Sequence, residues 1–289
     1  MTPADLPPDA VVVDTHHHVW DLSVRDQDWI AGPRLRSLRR DFTMDDLLPE
    51  ARAAGVRRTV LVQTVTVAEE TPELLALAAA HDLVAEVVGW TDLTRPGLAD
   101  ELARLREQPG GQFLKGIRHQ VQSEPDPGWL LRTDVQRSLA AVADAGLVYD
   151  LVVQPHQLPA CVRAAASLPR LTFVLDHAGK PPVASGRLEP WARDVRALAA
   201  LPNTVCKLSG LVTEADPATW SVDELRPYAD VVLDAFGPGR LMFGSDWPVC
   251  TLAASYGDVL AAARTLTADL DATGREEVFG ATATRVYAL

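Results

Sequence analysis

Cysteine is scarce in this chain: Cys161, Cys206 and Cys250 are an odd number, set far apart, with no paired spacing. That excludes a disulfide framework and a cysteine-type zinc site, and leaves each as a small buried apolar residue. Positive charge is short as well. Lys and Arg number 27 against 39 Asp and Glu, a formal net charge of -12. Nucleic acid and anionic membrane surfaces demand clustered cations and are disfavoured as partners. The one local cluster (Arg34, Arg36, Arg39, Arg40) is diluted by Asp41, Asp45 and Asp46, and reads as a solvated loop or as a cap for an anionic substrate. No apolar run approaches the length of a membrane span. Residues 1–10 are acidic and proline-rich, without the basic-then-apolar layout of a signal peptide. A GxGxxG or Walker sequence is also missing, and with it the phosphate turn of a doubly wound nucleotide-binding sheet. The expectation is a reduced, cytoplasmic, soluble protein, monomer or homo-oligomer, whose partner is a small-molecule substrate.

Hydrophobic residues at 47% and charged ones at 23% are ordinary for a globular protein. Eight apolar, strand-like runs are present, at 10–18, 59–64, 85–91, 113–118, 147–153, 171–176, 204–209 and 241–245. Their continuous apolar character suits strands covered on both faces. Amphipathic stretches follow them in turn, at 44–54, 72–81, 97–107, 134–145, 158–167, 188–200, 222–236 and 254–268. Thr43 with Asp46, Thr71, and Ser221 with Glu224 supply N-caps, and Gly55, Gly146 and Gly237 sit where helices should stop. Eight strands each followed by a helix predict an α/β fold, a (β/α)8 TIM barrel forming one domain over 1–289. A last helix at 275–287 is expected to brace the outside. The first connection, 19–43, is long for a structureless loop and reads as an insertion over the catalytic face.

Barrel chemistry collects where strands end. The first run closes in Val13-Asp14-Thr15-His16-His17-His18. In an extended strand His16 and His18 share one face and His17 takes the other, and two imidazoles on one face repeat the geometry a metal needs. Further along come Gln63, Lys115, Arg118-His119, Gln154, His156, Asp176-His177, Lys207, Ser209 and Ser245-Asp246-Trp247. Each has a plainer reading: a strand-end histidine as a hydrogen-bonded structural residue, Asp246 as a helix N-cap, Lys115 as the answer to a buried carboxylate such as Asp150 or Asp14. Trp20, Trp29 and Trp247 fit either core or the aromatic wall of an enclosed ligand, and Asp14 fits a residue orienting a histidine.

The segments Asp14-Thr15-His16-His17-His18-Val19-Trp20, Leu38-Arg39-Arg40-Asp41-Phe42, Lys115-Gly116-Ile117-Arg118-His119, Asp176-His177-Ala178-Gly179-Lys180-Pro181, Lys207-Leu208-Ser209-Gly210 and Phe243-Gly244-Ser245-Asp246-Trp247-Pro248, in this order, resemble the amidohydrolase superfamily. The likeness is to its sugar-acid lactonase branch and covers essentially the whole chain. It implies a distorted TIM barrel that hydrolyses an ester-like bond, with His16 and His18 as the strand-one pair, His177 after strand six and Asp246 after strand eight. Lys115 lies deep in strand four and His156 past strand five, so one divalent ion, zinc foremost, is implied rather than two. Members of the branch that work without metal leave metal independence open.

The chemistry expected is lactone opening. Asp246 takes a proton from water and returns it to the ring oxygen, while His177, with Arg118 or His119, meets the developing negative charge. His16, His18 and Asp246 hold the metal. Gln154, His156, Trp29 and Trp247 bind a sugar lactone, with Lys115 and Arg118 available to an anionic group. The rivals are a metal-dependent decarboxylase, a lactonase for an unsaturated dicarboxylate, and a non-catalytic ligand-binding barrel.

Overall fold

The computed structural model describes residues 11–289, so Ala10, the first residue of the expected opening strand, lies outside it. All eight expected strands form: β1 Val12–His17, β2 Val56–Val62, β3 Val84–Gly89, β4 Leu114–His119, β5 Val148–Leu151, β6 Phe173–Leu175, β7 Thr204–Leu208 and β8 Leu241–Phe243. They lie parallel in one sheet in sequence order. The sheet closes on itself: His17 bridges Trp247, the His18 N–H donates to the Trp247 carbonyl at 2.7 Å, and the Asp246 N–H donates to the His16 carbonyl at 2.8 Å. The result is the expected (β/α)8 barrel.

Eight helices cover the sheet: α1 Met44–Ala53, α2 Glu70–Ala80, α3 Leu98–Glu107, α4 Thr133–Asp144, α5 Leu158–Ser167, α6 Trp191–Ala199, α7 Val222–Phe236 and α8 Tyr256–Leu266. Inside, β-branched side chains fill the lumen. Val13, Val60, Val62, Val88, Val148, Val174, Val205 and Met242 form one buried cluster. Gly116 supplies the β4 position, where a Cβ would come within 2.9 Å of Val148 and 3.0 Å of Val88. The lumen is therefore packed solid, and chemistry is confined to its rim.

Three expectations change. Thr71 is no N-cap: α2 begins at Glu70, and the Thr71 hydroxyl bonds both backbone groups of Trp90. The strands β6 and β8 are only three residues long: a short 3-10 turn begins at Asp176, and β8 ends at Phe243 before the turn that carries Asp246. The last helix is interrupted: Ala272–Glu276 and Thr282–Tyr287 are α-helical, and Glu277–Ala281 between them is a π-turn. Its end does not brace the outside. Ala283 and Tyr287 join the lumen cluster and floor the barrel.

Candidate active site

At the mouth, β1 delivers two imidazoles to one point. His16 Nε2 and His18 Nε2 lie 3.2 Å apart. His18 Nδ1–H donates to the Val62 carbonyl at 2.7 Å, which leaves its Nε2 a bare lone pair. His17, on the opposite face, bonds Thr59 Oγ1 at 2.9 Å. Asp14 rivets the β1–β8 seam rather than holding an imidazole. It accepts from the His16 N–H at 3.1 Å, the Ser245 N–H at 2.8 Å, the Ser245 hydroxyl at 2.6 Å and the Tyr256 hydroxyl at 2.9 Å. That rivet fixes Asp246 relative to the histidines. Asp246 Oδ1 stands 3.6 Å from His18 Nε2 and 3.8 Å from both His16 Nε2 and His177 Nε2. Burial works to raise the Asp246 carboxyl, but His177, His18 and Lys180 outweigh it and hold the group below the usual carboxylate range. Asp246 is ionised at neutral pH.

His177 follows β6 and bonds Ser209 Oγ through Nδ1 at 2.9 Å. Burial lowers its pKa to about 4, against the pull of Asp246, so the ring is neutral. Burial likewise drives His16 well below its ordinary value. His177, Ala178, Lys180 and Asp246 all hold positive φ, between 51° and 58°. Left-handed backbone costs a non-glycine residue about 1–3 kcal/mol, and such strain gathers at functional sites. Here it turns the loops after β6 and β8 sharply back over the mouth.

Beneath this lies a chain of buried charge centred on Lys207, a residue the sequence left without a role. Lys207 reaches Asp150 at 2.5 Å and Asp176 at 3.0 Å, with no solvent exposure at any of the three. Asp176 also accepts from Arg118 NH1 at 3.0 Å. Burial raises Asp150 to about 6, with Lys207 opposing. Arg118 spends its remaining donors on Gln63: Nε on the side-chain oxygen at 2.9 Å, and NH2 on the carbonyl. The signal for Lys207 was a charged residue inside a wholly buried strand; its two carboxylate partners come from β5 and from the turn that follows β6, a pairing that only the fold reveals.

The donors fit a metal ion. A tetrahedral ion bound at about 2.0–2.1 Å places its ligand atoms about 3.3–3.4 Å apart. His16 Nε2, His18 Nε2 and Asp246 Oδ1 are 3.2, 3.6 and 3.8 Å apart, two imidazole nitrogens and a carboxylate facing one point. A second group of donors among the described residues is His16, Asp176 and His177. There Asp176 is already held by Arg118 and Lys207, so the first set is the better one.

Above the centre opens a cavity of about 660 Å³. Its floor includes His18, Arg118, His177 and Asp246, and its walls carry Trp29, Gln120, Gln122, Gln154, Lys180 and Glu214. Trp29 and Arg34 come from the long first loop, and Arg34 ties that loop to the Thr213 carbonyl at 2.8 Å. Four expected substrate contacts lie elsewhere. His119 directly follows Arg118 and so turns to the other face of β4. There it stacks on Trp129 at 4.3 Å and bonds Trp90 and Glu124. Trp247 directly follows Asp246 and packs edge-on against Phe42. His156 sits in a short 3-10 turn after β5 and is exposed. Lys115, three residues back from Arg118, does not line the cavity, and its charge acts on Glu86.

Two histidines from the first strand, a third beyond the sixth and an aspartate beyond the eighth, gathered at the mouth of a (β/α)8 barrel, define a hydrolytic barrel enzyme. The family model described as Amidohydrolase matches residues 13–289, and the chain belongs to that family. It is 41% identical to the L-fucono-1,5-lactonase of Burkholderia multivorans, covering 97% of both chains. It is also 41% identical to the L-fucono-1,5-lactonase of Burkholderia ambifaria, over 85% of this chain and 83% of that one. A crystal structure of an amidohydrolase from Burkholderia multivorans with bound zinc matches with a TM-score of 0.91 at 41% identity, covering 97% of this chain and 100% of the other.

Proposed function

We propose that this protein is a lactonase that opens the ring of a neutral sugar-acid lactone, of the L-fucono-1,5-lactone kind, in the cytoplasm. One observation carries the reading: a single ionised carboxylate oxygen, Asp246 Oδ1, faces three imidazole nitrogens at the floor of a polar cavity. A lactone carbonyl is already activated as an ester, so the site must supply a water, a donor for the oxyanion and a proton for the leaving alkoxide. Asp246 takes the proton from water as its oxygen attacks the carbonyl. His177 pairs with Ser209 Oγ through Nδ1 at 2.9 Å, and in the tautomer in which that hydroxyl donates, the His177 proton sits on Nε2 and meets the oxyanion. Such a donor is typically worth about 3–4 kcal/mol. As the ring C–O bond breaks, Asp246 returns the proton to the departing oxygen. His16, His18 and Asp246 are the residues that would hold a zinc ion. When bound, the metal polarises the carbonyl or acidifies the water.

The walls favour a polyol over a dianion. Gln120, Gln122 and Gln154 both donate and accept, as hydroxyls do, and Gln122 Oε1 is buried without a partner among the described residues. The cations at the cavity are already engaged: Arg118 with Asp176 and Gln63, Arg34 with the Thr213 carbonyl, and Lys180 with Glu214 at 4.0 Å. Among the described cavity residues only Arg34 has no carboxylate partner, so a dicarboxylate would find one such cation rather than two. The test is a pH-indicator screen of aldonolactones run with zinc, with manganese and with chelator. Rapid acid release from a neutral sugar lactone is expected, and silence across the panel under all three conditions would overturn the reading.

A further inference from the structure

The loops after β6 and β7 meet at His177, where a Cβ on Gly210 would lie 2.8 Å from the imidazole. Each loop also brings one charged side chain to the cavity. Lys180 ends the turn after β6, with a left-handed φ of 53° and its N–H donating to the His177 carbonyl at 2.8 Å. Glu214 ends the short helix Leu211–Glu214 that follows Gly210. That helix is tied at Thr213, whose hydroxyl donates to the Gly210 carbonyl at 2.8 Å and whose carbonyl accepts from Arg34 at 2.8 Å. Both side chains line the cavity, and Lys180 Nζ lies 4.0 Å from Glu214 Oε1. Burial raises the Glu214 carboxyl, and Lys180 and Arg34 oppose it. The two charges answer one another, yet their separation is past hydrogen-bond range. Among the described residues their side chains have no other polar contact. Three N–H donors and two carboxylate oxygens therefore stand at the cavity with their directional capacity unused.

A gap of that size fits one oxygen atom. Hydrogen bonds of about 2.8 Å from that oxygen to Lys180 Nζ and Glu214 Oε1 close the 4.0 Å triangle at an angle of about 90°. A hydroxyl is the group that accepts from the ammonium and donates to the carboxylate at once. A carboxylate in its place would suit Lys180 but be repelled by Glu214, and a methyl would leave both unanswered. Position narrows the choice of hydroxyl. The charge of Lys180 acts on both His177 and Asp246, and that of Asp246 acts on Glu214. The pair thus stands beside the two residues that handle the lactone carbonyl and ring oxygen. The hydroxyl on the carbon next to that carbonyl is the nearest one a sugar lactone offers. We propose that Lys180 and Glu214 are specificity-determining residues that clamp the 2-hydroxyl of the lactone between them. The clamp fixes the neighbouring carbonyl carbon against His177 and Asp246 before water attacks. The inference rests on the sugar-lactone reading above and adds the ring position at which the enzyme tests its substrate.

The test compares L-fucono-1,5-lactone with its 2-deoxy analogue on the wild type, Lys180→Met and Glu214→Met, each checked for folding by circular dichroism. Methionine keeps the length of either side chain and removes its hydrogen bonds. Each kcat/KM is divided by the spontaneous hydrolysis rate of that lactone, which removes the intrinsic effect of the hydroxyl on the carbonyl. The wild type is expected to favour the hydroxylated lactone by about 10–10²-fold, the usual span for a hydrogen bond to a charged group. In either variant that ratio is expected to fall to near one. Losing the Lys180 charge also alters the field at Asp246, but that change acts on both substrates alike and cancels in the ratio. A wild type that treats the two lactones equally overturns the proposal, as does a folded variant that keeps the wild-type ratio. Where a variant does not fold, the wild-type ratio and the other variant decide. Hydrolysis of neither lactone overturns the substrate reading itself, and this inference with it.

Discussion

Asp246 Oδ1 and the three imidazole nitrogens around it turn on single atoms, and so do the sharpest consequences. Asp246→Asn keeps the shape of the side chain but removes the base, and should cut lactone hydrolysis by about 10²–10⁴-fold. Steady-state kinetics on the folded variant checks this, with KM expected to move far less than kcat. At this scale the sequence was legible where side-chain parity was followed and misleading where it was not. Alternation assigned His16 and His18 to the site and removed His17. The same alternation, applied to Arg118-His119 within β4, separates the functional residue from the neighbour that was grouped with it, whereas Asp246 and Trp247 are parted by the left-handed turn at Asp246. Lys207 was seen but could not be interpreted, because nothing in a local stretch says that Asp150 and Asp176 will flank it.

Among the elements, the strands announced themselves as apolar runs, and the helices as amphipathic stretches with caps such as Ser221, whose backbone N–H donates to Glu224 at 2.9 Å. What stayed hidden were the turns after β6 and β8, where non-glycine residues take left-handed backbone. No residue preference signals that, since the favoured residue would have been glycine. Gly210, after β7, shows how tightly the turns fit together. A Cβ there would lie 2.8 Å from His177 Cβ, Cγ and Nδ1, and its φ of +66° resists any other side chain. Gly210→Ala is therefore expected to displace His177 and break its bond to Ser209. It should lower kcat by about 10²–10³-fold, comparable to losing an oxyanion donor, while far-ultraviolet circular dichroism stays unchanged.

On the scale of the whole molecule, the barrel depends on its floor. Tyr287 is fully buried against the lumen, its hydroxyl 3.3 Å from Asp150 Oδ2. Tyr287→Ala should cost about 3–5 kcal/mol in urea unfolding, the usual toll for emptying a large aromatic site. Glu86 supplies a pH signature. Burial raises its carboxyl to about 8, with Lys115 and Arg58 pulling the other way. A pKa above the unfolded value means that the folded state binds the extra proton, so stability falls as pH rises from about 4.5 towards 8. Glu86→Gln should therefore raise Tm by a few degrees at pH 8 and by less at pH 5, as differential scanning calorimetry would show. The seam between β1 and β8 has a further consequence, in time rather than space. It joins strands from opposite ends of the sequence, and contacts so remote in the chain are slow to form. His16 and His18 stand on one side of that seam and Asp246 on the other, so no partly folded barrel owns a working centre. During refolding, catalytic turnover should return only with the slowest phase, after tryptophan fluorescence has regained most of its native signal.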